Sequence, residues 1–216
     1  MNFSRSKVVL LAALFALVLS ASAYGAVLYS QPYDNNAQVN ASQNDPGGLG
    51  NFASTYDNWN ISPGGIYTVD EVKFTGGYFN GDPGSITGWT VNVYFDSAGQ
   101  PGTLQHTAHI AGNGNETLLN GNIYSYDLSG LGFQELSGIE YWISVVPDLT
   151  FPPQWGWATG TGGDGVAYQD FFGARSQLGA DQAFELDGTT VPEPGTLVML
   201  GTGVLGLAGA IRRKLF

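Results

Sequence analysis

From Val27 to Leu186 the chain never sustains a helical period. Short apolar or alternating runs are cut repeatedly by clusters of Gly, Pro, Asn and Asp. Such punctuation leaves no room for a helix of several turns and selects strands joined by turns. The clearest run is Trp89 to Phe95, where Trp89, Val91, Val93 and Phe95 share one face and Thr90, Asn92 and Tyr94 the other. Ile139 to Val146 is almost continuously apolar, the pattern of a central strand covered on both sides. Tyr67 to Phe79 alternates with one slip near Glu71, which predicts a bulge, and carries a Gly76-Gly77 kink. Further strands are expected at Val27–Gln31, Thr103–Ile110, Asn122–Leu128, Gln154–Ala158, Gly165–Tyr168 and Gln182–Leu186, with Thr55–Ile61 a partly buried strand or turn entry and Leu131–Leu136 a short strand or a turn. Asp34 to Gly50 reads as a long polar loop. Together these give roughly ten strands and an all-β fold, expected as a single β-sandwich of jelly-roll type.

The two ends of the chain have a different character. Arg5 and Lys7 precede an apolar run from Val8 to Leu19, and Ala21-Ser22-Ala23 follows with the small residues that signal peptidase requires. Residues 1–23 therefore read as a signal peptide cut after Ala23, with a cut after Gly25 as the alternative. At the other end, residues 191–216 read VPEPGTLVMLGTGVLGLAGAIRRKLF. Pro192-Glu193-Pro194-Gly195 is stiff and refuses a helix, because each proline fixes φ and lacks an N–H. Leu197 to Ile211 is free of charge, and Arg212-Arg213-Lys214 closes it with three cations. As a helix the apolar stretch would span about 22 Å, short of the ~30 Å hydrocarbon core. Snorkelling by Arg212 and local thinning of the bilayer would cover the deficit. The cationic end would stay in the cytoplasm and the body outside. Three units follow: a signal peptide at 1–23, a β-sandwich ectodomain at 24–190 and a C-terminal signal at 191–216. Within that signal, 191–196 is the Pro-Glu-Pro tag, 197–211 a transmembrane helix and 212–216 a basic tail.

Val191, Pro192, Glu193, Pro194, Gly195, the Gly-rich apolar run and Arg212, Arg213 and Lys214 resemble the PEP-CTERM protein-sorting signal of Gram-negative bacteria. The same stretch is also labelled the ice-binding protein C-terminal motif. The resemblance implies export by way of signal peptidase, transient insertion in the inner membrane and processing by an exosortase, with delivery to the cell surface or extracellular matrix. It further implies association with exopolysaccharide and biofilm. The body, through "VDEVKFTGGYF", "VNVYFDSAGQPGT" and "YWISVV", resembles more weakly a β-sandwich ectodomain found ahead of such tails. Flat repetitive Thr arrays are missing, so the body does not support ice binding.

Charge narrows what the body can do. The chain carries −11 overall, yet five of its seven basic residues lie in the two terminal segments. Between them Lys73 and Arg175 face seventeen acids, a net of −15. That surface repels phosphate backbones and excludes nucleic acid as a partner. With no cysteine, thiolate metal sites, thiol nucleophiles and disulfides are excluded as well.

Little remains for chemistry. His106 and His109 are three apart, which on a strand sends them to opposite faces and breaks a metal pair. Asp34, Asp45, Asp57, Asp82, Asp96 and Asp164 are expected in Gly- or Asn-rich loops. They read either as oxygen donors to a structural calcium ion or as solvated carboxylates, and no calcium-loop pattern decides between the two. Trp155 and Trp157, two apart on one face, are either core residues or a flat platform for sugar rings. No nucleophile elbow, phosphate loop or HExxH motif occurs. The expected protein is a non-enzymatic exported surface or matrix protein without a cofactor. The alternatives are a carbohydrate-binding module and a glycan-active surface hydrolase.

Overall fold

A computed structural model describes residues 25–62, 64–191 and 201–203. Fourteen strands form among them: β1 (Ala26–Gln31), β2 (Val39–Ala41), β3 (Gln43–Asp45), β4 (Gly50–Trp59), β5 (Ile66–Phe79), β6 (Gly88–Asp96) and β7 (Pro101–Ala111). There follow β8 (Thr117–Asn120), β9 (Ile123–Leu136), β10 (Tyr141–Asp148), β11 (Gln154–Ala158), β12 (Ala167–Phe171), β13 (Ala174–Leu178) and β14 (Phe184–Val191). They make two seven-stranded sheets. One runs β1-β14-β5-β11-β2, with β9 on the other flank of β5 and β8 beyond it; the other runs β13-β12-β4-β3-β10-β6-β7.

The expected loop from Asp34 to Gly50 contains β2 and β3. They escape sequence reading because each is three residues long, too short to show a period. Leu131–Leu136 is no separate element but the second half of β9, which pairs with β5 along nearly its whole length. β8 and β13 are edge strands with mostly exposed residues and no apolar alternation to announce them.

β5 is the axis of the first sheet. Its register against β9 slips between Val69 and Glu71, where the alternation predicted a bulge. From Ile66 to Phe74 it pairs with β14, and from Gly76 to Phe79 with β11. The change of partner explains the glycine pair. A Cβ on Gly76 would run into the Trp155 ring, and one on Gly77 would lie 2.6 Å from the Ile123 side chain.

Between the sheets lies an aromatic core. Trp89 of β6 crosses the gap, its ring centroid 5.1 Å from Trp155 and 4.9 Å from Tyr126. Phe74 stacks on Tyr126 at 5.2 Å. Polar tips are satisfied inside this packing: the Trp155 indole donates to the Tyr126 hydroxyl at 3.0 Å and that hydroxyl donates to Glu116 at 2.9 Å. Burying rings of 150–250 Å² each makes this layer the main source of stability. β10 is buried along almost its whole length, as its continuous apolar run predicted.

The sandwich has two distinct poles. Val191 pairs with Ile66, and Ile66 with Leu136, so β14, β5 and β9 finish together. Ala26 enters opposite Gly188, near the same end. Both ends of the sandwich thus leave from one pole, the tag pole. The opposite pole lies thirteen residue steps away along β5, about 43 Å at strand spacing.

Candidate functional site

Val191 is the last residue of β14 and the only part of the expected sorting signal within a described strand. Pro192, which follows in the sequence, has no N–H to donate to a ladder. Pro192, Glu193, Pro194, Gly195, Arg212, Arg213 and Lys214 lie outside the described residues, as do Ala21 and Ala23 of the expected cleavage site. Of the expected membrane segment only 201–203 is described, and it is helical. Among the described residues no helix is long and apolar enough to cross a membrane.

Around the exit of the tag, Ile66 and Leu136 stand half exposed beside Val191 in one cross-strand row. On the inner face of the same strands sits Glu135, 1 % exposed, with no hydrogen bond of good geometry to either carboxyl oxygen. Burial raises its pKa to about 7, and the Tyr141 hydroxyl offsets only part of that cost. Nothing in the sequence signals this group beyond its inward place in the β9 alternation.

Trp155 and Trp157 are both fully buried, with their indole N–H groups donated to Tyr126 and to the Ala183 carbonyl. They present no face to a sugar, which corrects the platform reading. Their common face points inward because β11 lies between β5 and β2 with its rings against Phe74.

Aromatic and amide side chains do converge elsewhere, on an open groove of about 260 Å³ at the seam between β2 and β12. Phe79 and Phe171 flank it, with Asn40, Gln154 and Gln169 between. Gln169 crosses the seam and donates to the Ala41 carbonyl at 2.9 Å. Asn40 donates to Gln182 at 3.1 Å, and Gln154 accepts from Asn80 at 3.1 Å. Next to the groove, Phe52 is buried under Phe151, Phe171 and Phe172, whose rings lie 5.4–6.2 Å from it. Those three remain 40, 40 and 62 % exposed. The cluster occupies the pole away from the tag, at the β10–β11 loop and the tip of the β12–β13 hairpin. Sequence reasoning missed it because its members come from distant strands; the Phe171-Phe172 pair before Gly173 is the one local signal.

A second depression of about 450 Å³ lies on the first sheet and includes Lys73, Thr75, Asp127 and Glu185. Lys73 is held among carboxylates: Asp187 in a short contact, Glu185 at 3.5 Å and Glu71 at 3.8 Å. Its pKa is raised, chiefly by the hydrogen bond to Asp187. Glu71 is pushed up to about 7, first by a side-chain hydrogen bond with Asp127 and then by burial.

The six aspartates form no common cluster, although Asp57 and Asp164 lie close enough to repel and both accept from Asn58. Asp34 accepts from Asn36 and Thr159, Asp45 from the Leu49 amide, Asp96 from Gly99 and the Trp142 indole, and Asp164 from Asn58 and Val166. Asp57 is not a loop residue but lies buried in β4, where burial drives its pKa well up and the Asn58 and Gln182 amides counter it. Among the described residues no group of three or more acids and histidines could hold a metal ion. His106 packs on Phe133 at 5.3 Å while His109 faces Thr90 and Asp148, so the odd spacing does separate them.

Residues 190–214 match the family model of the PEP-CTERM protein-sorting motif. The match begins on the last residues of β14, at the tag pole. No curated protein matches the chain.

Proposed function

We propose, from the PEP-CTERM sorting motif that the chain carries, that this is a non-enzymatic surface or matrix protein of a Gram-negative bacterium, sorted by an exosortase. Signal peptidase releases residues 1–23, the segment 197–211 holds the protein in the inner membrane, and the exosortase removes the tag. The observation that carries the reading is the continuity of motif and fold. β14 runs straight into the motif, and β1 begins near the same pole, so both membrane-directed segments leave on one side and the sandwich projects from the membrane. The acidic body then joins the exopolysaccharide or biofilm matrix.

The test is intact mass and location of the native protein, with Pro192, Glu193 and Pro194 replaced by alanine as control. Native protein is expected outside the cell, lacking both terminal segments. The alanine variant is expected uncut in the inner membrane. Full-length native protein in the cytoplasm would end the proposal.

A further inference from the structure

We propose that the seam groove binds an uncharged polysaccharide chain, which runs from between Phe79 and Phe171 onto the exposed rings of Phe172 and Phe151. The proposal deepens the exopolysaccharide association above and rests on it for the polymer's presence at the cell surface.

Hydrogen-bonding capacity comes first. Each of the three amides lines the groove, spends one end on the protein and makes no protein hydrogen bond with the other among the described residues. Gln169 and Asn40 donate their NH₂ groups to Ala41 and Gln182, which leaves two carbonyl acceptors. Gln154 accepts from Asn80 with its carbonyl, which leaves an NH₂ donor. Two acceptors and a donor suit sugar hydroxyls, each of which donates and accepts. Because their inner ends are tied, the amides are oriented before a ligand arrives, which lowers the ordering cost of binding. Phe79 and Phe171 add apolar walls for the C–H faces of pyranose rings.

Charge and size select the occupant. No residue lining the groove is ionisable. The neighbouring cation, Arg175, is bound to Asp170 at 2.8 Å through two nitrogens. The strongly acidic body disfavours uronate or phosphate polymers. At about 260 Å³ the groove is smaller than the ~300–1,000 Å³ of enclosed ligand pockets and open to solvent, as suits a short length of polymer laid across a surface. A second copy of the chain is a poor fit. Three phenylalanines of roughly 200 Å² each, about half exposed, supply on the order of 300 Å², far below the ~800 Å² per partner of a stable dimer. A lipid surface is equally unsuited, because this pole lies about 43 Å from the one at which the membrane-directed segments leave.

The full chain in detergent micelles should be titrated calorimetrically with cellohexaose, xylohexaose and mannohexaose, and with polygalacturonate as the anionic comparison. At least one neutral hexaose is expected to bind, polygalacturonate not. Phe171→Ala should weaken binding at least tenfold while the circular dichroism spectrum stays that of the native fold, and Phe171→Trp should keep it. Failure of all three neutral hexaoses, equal binding by Phe171→Ala, or preference for polygalacturonate would overturn the proposal. Each of these leaves the export reading standing, since that is read from cleavage and location.

Discussion

The tag pole and the far pole of the sandwich are built by different means. At the tag pole three long strands finish in register at Val191, Ile66 and Leu136, and the pairing that holds the sheet also fixes where the chain leaves it. The far pole is made of hairpin tips and loop ends, and its cluster draws Phe52, Phe151, Phe171 and Phe172 from β4, the β10–β11 loop and the β12–β13 hairpin. An exit built from strand ends cannot move without disturbing the ladder. A surface built from tips can change residue by residue while the core stands, which is where binding specificity is cheapest to alter. The two poles also differ in what they bury. The tag pole hides Glu135 with both carboxyl oxygens unpartnered, whereas the far pole hides a phenylalanine beneath other phenylalanines and a carboxylate, Asp45, that accepts from the Leu49 amide.

If the aromatic layer joins both poles into one cooperative unit, the largest effect belongs to that layer. Trp155→Ala should cost about 3–5 kcal/mol, through lost contacts and the cavity left behind. Urea unfolding should show one shifted transition, the same by far-ultraviolet circular dichroism and by tryptophan fluorescence. Two separate transitions would break the comparison, because the poles would then be independent. Phe52→Ala at the far pole should follow at about 3 kcal/mol, since Phe52 is 5 % exposed and sits beneath three rings.

Glu135 sharpens the contrast through pH. An unfolded glutamate loses its proton near 4.5, whereas Glu135 in the fold keeps it to about 7. The folded state holds the extra proton between those values, so stability is greatest below about 4.5 and is lost as pH rises through about 7. Glu71 acts in the same direction. Glu135→Gln should therefore stabilise the protein by about 1–3 kcal/mol at pH 8 and change little at pH 4, as measured by chemical denaturation at both. A gain independent of pH would show that the carboxyl is not the cause.

Phe172→Ala should have the smallest effect. The ring is 62 % exposed, and its removal should cost less than about 1 kcal/mol while weakening neutral-hexaose binding a few-fold. A loss comparable to that of Phe52→Ala would mean the far pole is a core like any other.

Alternation within single strands was legible from the residues alone. Trp89–Phe95, the bulge before Glu71 and the buried run now seen as β10 each follow from contacts between near neighbours on one strand, and such contacts repeat with period two. The sorting motif was legible for a similar reason, since its proline tag, apolar run and cations are contiguous. β2 and β3 were not, because strands of three residues exist only through the partners they meet. Nor was the direction of Trp155 and Trp157. Period two places them on one face, but every residue of β11 is buried, so only the neighbouring strands decide which face meets the core. The groove lies furthest from the sequence. Asn40, Phe79, Gln154, Gln169 and Phe171 are brought together only when β2 closes one edge of the first sheet and β12 lies across the seam. The sequence by itself determined that this chain makes strands and where its signals stand. The pairing of distant strands decided which faces are core, which carboxyl is stranded and where a ligand could lie, because burial is set by what packs against a strand and not by the strand's own order of residues.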